Sequence, residues 1–227
     1  MTDIAIYGAS GLGRLVHDTL VQAEVGRVVG FLDSNTARHG ESLDGLPILG
    51  GLPMAELLAR RRVGIVVAIG ENHARLNVAA RLRAAGVQLA SAIHPLASIA
   101  PSARLGGHVF IGPRAIVCVH ARIGDDAIVS AGAIVEHDND VGRGAFLHAA
   151  VRLAGGVRVG LGAALGVGAS VVPGRSVGDW AVVEPGSIVI RDVPPAARVS
   201  GVPARATALP HVPSAHPPIT LAHADVT

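Results

Sequence analysis

The chain has 227 residues, half of them apolar and only 2% aromatic, which allows two small domains with cores of aliphatic side chains. The formal net charge of +2 argues against a nucleic-acid partner, and the lack of lysine among 19 basic residues excludes a lysine nucleophile or a P-loop lysine. The single cysteine, Cys118, and the lack of a long apolar run or a signal peptide predict a cytoplasmic protein with no membrane partner.

Residues 1 to about 91 alternate short apolar runs with helical patterns, which predicts a small α/β domain with a parallel sheet. The predicted strands are Ile4–Tyr7, Val28–Leu32, Val63–Ile69 and Val87–Ala92, and the predicted helices cover residues 14–23, 54–61 and 73–85. Ligands of such sheets bind at the carboxyl ends of the strands.

A glycine-rich turn, Gly8-Ala-Ser-Gly11-Leu-Gly13, follows the first predicted strand. Glycines let a phosphate approach the backbone and the start of the next helix. The spacing differs from the dinucleotide pattern and the domain is short, so a mononucleotide fits better than NAD; a plain tight turn is the alternative. Asp33 lies 20 residues after Gly13, where it is expected to hold a ribose hydroxyl or to be a solvated strand end.

From Ile93 to about Pro194 the sequence repeats every six residues, and all seventeen hexads begin with Leu, Ile or Val. The fifth position is mostly alanine, while positions two to four carry glycine, proline and polar residues that turn the chain. Positions five and one of the next hexad point to the same side of a short strand. Three such units close a coil of 18 residues, and coils stack about 4.8 Å apart. The repeat predicts an all-β prism.

The hexad VEHDND breaks this pattern, because Asn139 occupies its fifth position. His137 stands at its corner between Glu136 and Asp138. A carboxylate that fixes one imidazole tautomer suits a general base, and either neighbour is a candidate; a solvated surface histidine is the other interpretation. Gly155 comes one coil later, so its amide is expected beside His137, where it can stabilise an oxyanion or simply form a turn.

These features resemble the left-handed β-helix acyltransferases, which include bacterial serine and sugar acetyltransferases. The GASGLG turn, the EHD motif and the segment VSGVPAR at 199–205 narrow the resemblance to NeuD/PglD-type nucleotide-sugar acetyltransferases. The resemblance implies a Rossmann-like nucleotide-sugar-binding domain over 1–91, a left-handed parallel β-helix acetyltransferase domain over 92–198 and a closing segment over 199–209. Residues 210–227 are rich in Pro, Ala and His, which predicts a disordered tail.

The resemblance also implies a homotrimer that binds acetyl-CoA as co-substrate in a groove between two subunits and a nucleotide-linked amino sugar as acceptor. It implies His137 as the base and favours Asp138 over Glu136 as its partner. The residues matching the acetyl-CoA positions of the family are Phe146, Gly155, Val167 and Pro185. The residues matching its substrate positions are Ser10, Gly11, Leu12, Asp33, Ser34 and Gly70. Relatives often carry histidine where this chain has Leu12 and Phe146.

The leading hypothesis is therefore direct, acetyl-CoA-dependent N-acetylation of a nucleotide-linked 4-amino-deoxy sugar, with no acetyl intermediate on Cys118. O-acetylation of a sialic-acid-like acceptor would use similar residues. A non-catalytic nucleotide-binding scaffold is the third hypothesis, supported by the lack of histidine at Leu12 and Phe146. His120, His137 and His148 occupy different hexad positions, so no metal site is expected.

Overall fold

The computed structural model describes residues 2–207. It consists of an N-terminal α/β domain followed by a β-solenoid of about six turns, which confirms the predicted fold class. The tail predicted at 210–227 lies outside the described residues. Within residues 2–207, no helix is both long and apolar enough to cross a membrane.

The N-terminal domain is a three-stranded parallel sheet with helices packed against it. Its elements are β1 (Thr2–Tyr7), α1 (Gly11–Gln22), β2 (Gly26–Leu32), a 3-10 turn (Thr36–Arg38), β3 (Ser42–Leu43), β4 (Leu46–Pro47), α2 (Leu52–Arg60), β5 (Gly64–Val67) and α3 (Asn72–Ala84). The strand order is β2-β1-β5, with the central strand β1 almost fully buried. The carboxyl ends of all three strands therefore lie at one edge of the sheet.

Two local expectations for this domain were wrong. The predicted fourth strand, Val87–Ala92, is not a regular strand, because only Leu89 bridges to Ile65 before the chain enters the solenoid at Ala92. No strand is predicted between residues 33 and 53, but this segment contains the β3–β4 hairpin, whose turn residues Asp44 and Gly45 both have positive φ. An Asp-Gly pair is the usual sequence signal for such a turn.

The solenoid is built from strands of two or three residues. They are β6 (Ala92–Ile93), β7 (Ser98–Ile99), β8 (Arg104–Leu105), β9 (Phe110–Ile111), β10 (Ile116–Val117), β11 (Arg122–Ile123), β12 (Ile128–Val129), β13 (Ile134–Val135), β14 (Asp140–Val141), β15 (Phe146–Leu147), β16 (Arg152–Leu153), β17 (Arg158–Val159), β18 (Ala164–Leu165), β19 (Ser170–Val171), β20 (Ser176–Val177), β21 (Val182–Val183), β22 (Ile188–Val189), β23 (Arg198–Ser200) and β24 (Arg205–Ala206).

These strands form three sheets, which are the faces of a prism. Face I contains β6, β9, β12, β15, β18, β21, β23 and β24; face II contains β7, β10, β13, β16, β19 and β22; face III contains β8, β11, β14, β17 and β20. Parallel partners are 18 residues apart, as Ile116, Ile134 and Arg152 are. The fifth and first hexad positions fill the interior, which is almost entirely Ala, Val, Leu and Ile.

The faces meet at three edges, where the fourth residue of most hexads has a left-handed backbone. Asp138 (φ 58°) and His120 (φ 59°) are non-glycine examples, and aspartate and histidine are among the residue types that tolerate this conformation. The histidine edge joins faces II and III and contains residues 118–120, 136–138 and 154–156. The docking edge joins faces III and I and contains 124–126, 142–144 and 160–162. The third edge joins faces I and II and contains 148–150, 166–168 and 184–186.

The regular period ends after β22. In the last coil Val182 pairs with Arg198, so this coil is two residues shorter than the others. β24 then pairs antiparallel with β23 and closes the sheet of face I.

The N-terminal domain packs on face I of the solenoid. Ile6, Val16 and Phe31 share one buried cluster with Phe110 and Ile128 of that face. This contact places the carboxyl edge of the small sheet over the middle coils of face I.

The start of α3 is tied to the docking edge by a buried arginine. Arg75 is 1% exposed, and its guanidinium donates to the carbonyls of Ile69, Asp126 and Gly144. Burial lowers the pKa of Arg75 to about 10, so it remains charged at neutral pH. It therefore fixes the loop after β5 to the solenoid.

A buried carboxylate makes the second polar contact between the domains. Asp126 accepts hydrogen bonds from Arg83 of α3, from Arg143 one coil later and from His108 Nδ1. His108 Nε2 in turn accepts a hydrogen bond from the Val67 amide at 2.8 Å. Because Nε2 is an acceptor, this histidine is a neutral Nδ1–H tautomer in the folded protein. No local sequence pattern predicts this cluster, because its members come from positions 17 to 43 residues apart from Asp126.

Candidate active site

His137 projects from the histidine edge with its ring held by the neighbouring carboxylate. Its Nδ1 lies 2.8 Å from Asp138 Oδ2, and both side chains are more than half exposed. The left-handed backbone at Asp138 turns the chain at this point. In the neutral imidazole a carboxylate at Nδ1 favours the tautomer with its proton on Nδ1, so that Nε2 is the nitrogen that can accept a proton, as a general base requires.

Gly155 lies against the His137 ring, one coil further along the same edge. A Cβ atom at this position would be 2.5 Å from both Cε1 and Nε2 of His137. The coils are joined here by the Gly156 amide, which donates to the His137 carbonyl at 3.0 Å. Within residues 2–207, the Gly155 amide has no hydrogen-bond acceptor. A free N–H group next to a candidate base is suited to a negatively charged oxygen.

Among the described residues, the Glu136 carboxylate forms no hydrogen bond or ion pair with His137, whose partner is Asp138. Glu136 is the second residue of its hexad, and it stacks over Cys118 of the preceding coil. Burial and then the Glu136 carboxylate raise the pKa of the Cys118 thiol, which makes this half-buried cysteine a poor nucleophile at neutral pH.

The glycine-rich turn and Asp33 meet at the carboxyl edge of the small sheet. Asp33 Oδ2 accepts from the Ala9 amide at 3.0 Å, and Oδ1 accepts from the Asn35 amide at 2.8 Å. Asp33 is therefore not a freely solvated strand end, because it joins the loops after β1 and β2. Its remaining acceptor capacity is available to a ligand hydroxyl.

The glycines of this turn have different roles. Gly8 has φ +125°, and a Cβ at Gly13 would be 2.0 Å from the Gly8 carbonyl oxygen, so both are required by the tight strand-to-helix turn. By contrast, a Cβ at Gly11 would meet no atom within 4 Å. The chain's own packing gives no reason for glycine at Gly11, which favours close approach of a ligand.

The other predicted substrate residues surround the same edge. The Ser10 hydroxyl makes no capping bond to α1, and Ser34 Oγ lies 2.9 Å from Tyr7 Oη. Leu12 packs partly into the core. Gly70 lies in the loop between β5 and α3, and a Cβ there would be 3.9 Å from the Phe146 ring.

Phe146 lies between the two domains. It is 7% exposed and stacks on His148 with ring centroids 3.8 Å apart. The Arg75 guanidinium lies 5.7 Å from the Phe146 centroid. Burial and then the Arg75 charge lower the pKa of His148, so that imidazole stays neutral at neutral pH. The Phe146 ring is therefore packed between the loop that contains Gly70 and the solenoid.

The four predicted acetyl-CoA residues do not come together in one chain. Gly155 is on the histidine edge, whereas Val167 and Pro185 follow one another on the third edge, and Phe146 is on face I. Val167 is 52% exposed, so this part of the third edge has an apolar side chain at the surface. Within residues 2–207, no three metal-binding side chains cluster together.

The histidine edge and the carboxyl edge of the small sheet lie on different sides of the prism. The N-terminal domain covers face I, while His137 lies where faces II and III meet. The N-terminal domain with Gly11, Asp33 and Gly70 thus packs on face I, whereas His137 of the same chain lies on the edge opposite that face.

Comparison with known proteins identifies similar domains and structures. Residues 3–82 match the family model described as the PglD N-terminal domain. PerB from Caulobacter crescentus, solved in complex with CoA and GDP-perosamine, is 34% identical, with 91% of this chain and 98% of that chain covered and a TM-score of 0.84. The search of curated proteins gave no match.

Two other solved structures are informative. The acetyltransferase domain of PglB from Neisseria gonorrhoeae, in complex with acetyl coenzyme A, is 28% identical, with 90% of this chain and 98% of that chain covered and a TM-score of 0.86. A perosamine N-acetyltransferase from Caulobacter crescentus with a histidine replaced by asparagine, solved with CoA and GDP-perosamine, is 34% identical, with 91% and 97% covered and a TM-score of 0.87.

Proposed function

Since the chain belongs to the family of acetyl-CoA-dependent acetyltransferases that join a PglD N-terminal domain to a β-helix, we propose that it acetylates the amino group of a nucleotide-linked 4-amino-deoxy sugar. One observation carries this proposal. The His137 imidazole has Asp138 as its partner at Nδ1 and lies against Gly155, whose amide has no hydrogen-bond acceptor within residues 2–207. A base and an oxyanion donor therefore lie next to each other, as acyl transfer requires.

The proposed reaction is a direct transfer. The amine nitrogen attacks the thioester carbonyl carbon while His137 Nε2 takes one of its protons. The Gly155 amide donates to the oxyanion that develops on the carbonyl oxygen. The C–S bond then breaks, and the imidazolium returns the proton to the coenzyme A thiolate. The products are the N-acetyl sugar and free coenzyme A.

The side chains around His137 support this scheme. Asp138 holds the imidazole in the tautomer that leaves Nε2 free and stabilises the imidazolium after proton transfer. The protonated thiol of Cys118 gives no reason to expect a covalent acetyl intermediate. Glu136 acts on that thiol and not on the base.

We assign the acceptor to the carboxyl edge of the small sheet. The first acceptor to test is GDP-perosamine, because a 34% identical relative was solved with that compound. Gly11 leaves room for the diphosphate, Asp33 has acceptor capacity for a ribose hydroxyl, and the loop of Gly70 lies next to the solenoid, where the sugar would end.

The separation of the predicted acceptor residues from His137 supports a site shared between subunits, and we propose that the assembly is a homotrimer. The N-terminal domain covers face I, while His137 lies on the histidine edge, so in this proposal the acceptor bound to one subunit meets His137 of another. The exposed Val167 and Pro185 of the third edge would then line a groove for acetyl-CoA together with the partner's histidine edge. Light scattering at micromolar concentration should give three times the mass of one chain, and a monomer that is fully active would contradict this arrangement.

The activity test compares several acceptors and one variant. Wild-type protein is incubated with acetyl-CoA and with GDP-, UDP- or dTDP-linked 4-amino sugars or sialic acid, and thiol release and the mass of the sugar product are measured. We expect one nucleotide-linked amino sugar to gain an acetyl group on nitrogen. His137→Ala should lower kcat by about 10²–10⁴-fold while the affinity for coenzyme A stays nearly unchanged. Preferential acetylation of a hydroxyl, or a near-wild-type kcat for the variant, would refute the assignment.

A further inference from the structure

Asn139 is a polar side chain inside the apolar solenoid. It is 1% exposed and occupies the fifth position of its hexad, which is alanine or valine in most other hexads. It directly follows the His137–Asp138 pair. Asparagine is rarely fully buried unless its amide is hydrogen-bonded, so its contacts need an explanation.

Its amide binds both ends of the corner that contains Gly155. Asn139 Oδ1 accepts from the Val157 amide at 2.5 Å, and Nδ2 donates to the Leu153 carbonyl at 3.4 Å. Gly155 lies midway between these two residues. One side chain of the His137 coil thus holds the next corner from both sides.

The same corner lacks a hydrogen bond that regular corners have. In most hexads the amide at position five donates to the carbonyl at position two, as Ala121 does to Cys118 at 3.3 Å and Ala181 does to Gly178 at 3.1 Å. Among the described residues, the Val157 amide does not donate to the Ala154 carbonyl but to Asn139. The side chain of Asn139 therefore replaces the internal bond of this corner.

We propose that Asn139 is a positioning residue for acetyl transfer, because it sets the shape of the corner that presents the Gly155 amide to His137. This inference rests on the proposed function. Without Asn139, the Val157 amide is free to bond to the Ala154 carbonyl, and the corner takes the regular shape seen elsewhere. The Gly155 amide then shifts relative to the imidazole while the solenoid remains closed.

Asn139→Val tests this directly, because valine already fills the fifth position at Val109 and Val151. If Asn139 served stability alone, the variant would change the melting temperature and leave kcat unaltered. We expect instead a melting temperature within a few degrees of wild type, unchanged KM values for acetyl-CoA and GDP-perosamine, and a kcat lower by about 10–100-fold. Combining Asn139→Val with Gly155→Ala should cost less than the product of the two separate losses.

The matched control is Ser187→Ala. Ser187 is also buried at a fifth position, and its hydroxyl accepts from the Gly201 amide at 3.1 Å, but this hydrogen bond does not involve the corner that contains Gly155. This variant should keep the wild-type kcat. Asn139→Ala is the second test variant, since alanine is common at this position.

Each outcome distinguishes this inference from the proposed function. An active wild type with a kcat for Asn139→Val and Asn139→Ala within twofold of its own would overturn the positioning role. Failure of both variants to fold would also overturn it and assign Asn139 to folding. If wild-type protein acetylates no acceptor, the proposed function fails. Hydrogen exchange of the peptide covering residues 153–157 then tests whether Asn139 sets the shape of the corner. An unchanged exchange rate in Asn139→Val would refute this effect of Asn139 on the corner.

Discussion

The contact between Gly155 and His137 leads to a quantitative prediction for Gly155→Ala. The new Cβ would lie 2.5 Å from Cε1 and Nε2 of the imidazole. The ring must retreat by about 1 Å to reach an ordinary carbon contact, and it has room to do so because its side chain is 58% exposed. A displacement of about 1 Å at a reacting group costs roughly 10²-fold in rate, so we expect a loss of about 10²-fold in kcat.

The stability of this variant should not fall. Gly155 does not have a left-handed backbone, and alanine at such a site commonly stabilises by about 0.4–1 kcal/mol because it restricts the unfolded chain. We therefore expect an equal or slightly higher melting temperature together with the reduced kcat. Gly86→Ala is a control for which we expect the opposite result. Gly86 lies far from His137, has φ +74° and has open space around it, so alanine there strains the backbone without a steric clash. This variant should have a lower melting temperature and the wild-type kcat.

The assay measures thiol release from acetyl-CoA with GDP-perosamine, in wild type, Gly155→Ala, His137→Ala and the double variant. Without the imidazole the new methyl group has nothing to displace, so Gly155→Ala should have little further effect in the His137→Ala background. A kcat for Gly155→Ala within twofold of wild type would show that the ring position does not limit the rate. A full additional loss in the double variant would show that the glycine acts independently of His137.

Three further predictions concern residues outside this contact. Burial opposes ionisation of Asp126, but hydrogen bonds from His108, Arg83 and Arg143 outweigh burial and lower the pKa of the carboxyl group. The stabilisation that ionised Asp126 gives to the folded protein is therefore complete above the pKa of an unfolded aspartate, about 4, and is lost progressively as the pH falls below that value. Asp126→Asn should cost about 3–5 kcal/mol in urea unfolding at pH 7, and a difference from wild type that does not shrink below pH 4 would contradict this. Cys118→Ala should keep kcat within about twofold, because the raised thiol pKa disfavours a covalent role; a tenfold loss would argue for an acetyl intermediate. Asp33→Ala should raise the KM for GDP-perosamine by about tenfold, because it removes one charge-assisted hydrogen bond, and should leave the KM for acetyl-CoA unchanged. Equal changes in the two KM values would point to general unfolding.

Much of the solenoid was predictable because its information is local and repeated. The aliphatic first position and the small fifth position recur in every coil, and their side chains fill the interior of the solenoid, as those of Ala133 and Val135 do. The 18-residue register then follows from counting, and it places Gly155 one coil above His137. The Asp44-Gly45 pair is an equally local signal, because an Asp-Gly dipeptide is typical of a hairpin turn in which both residues have positive φ.

The choice between the two carboxylates next to His137 depended on the backbone of the corner. Both are adjacent in sequence, but only Asp138 has the left-handed conformation, and its carboxylate binds Nδ1. Glu136 stands one position earlier on the outer side of the coil and faces Cys118. Hexad spacing gives no information on these directions, because side-chain orientation at a corner depends on φ and ψ.

The sequence by itself determined the prism, its register and the small parallel sheet, since each arises from a pattern that repeats within a few residues. Only the tertiary structure decided where the two parts meet. Arg75 of α3 bonds to the carbonyl of Gly144, 69 residues away, and Phe146 is buried under the loop of Gly70. Such contacts depend on the shapes of two finished surfaces, which no local period encodes. The same reason explains why the bonds of Asn139 to Leu153 and Val157 became visible only once neighbouring coils were stacked.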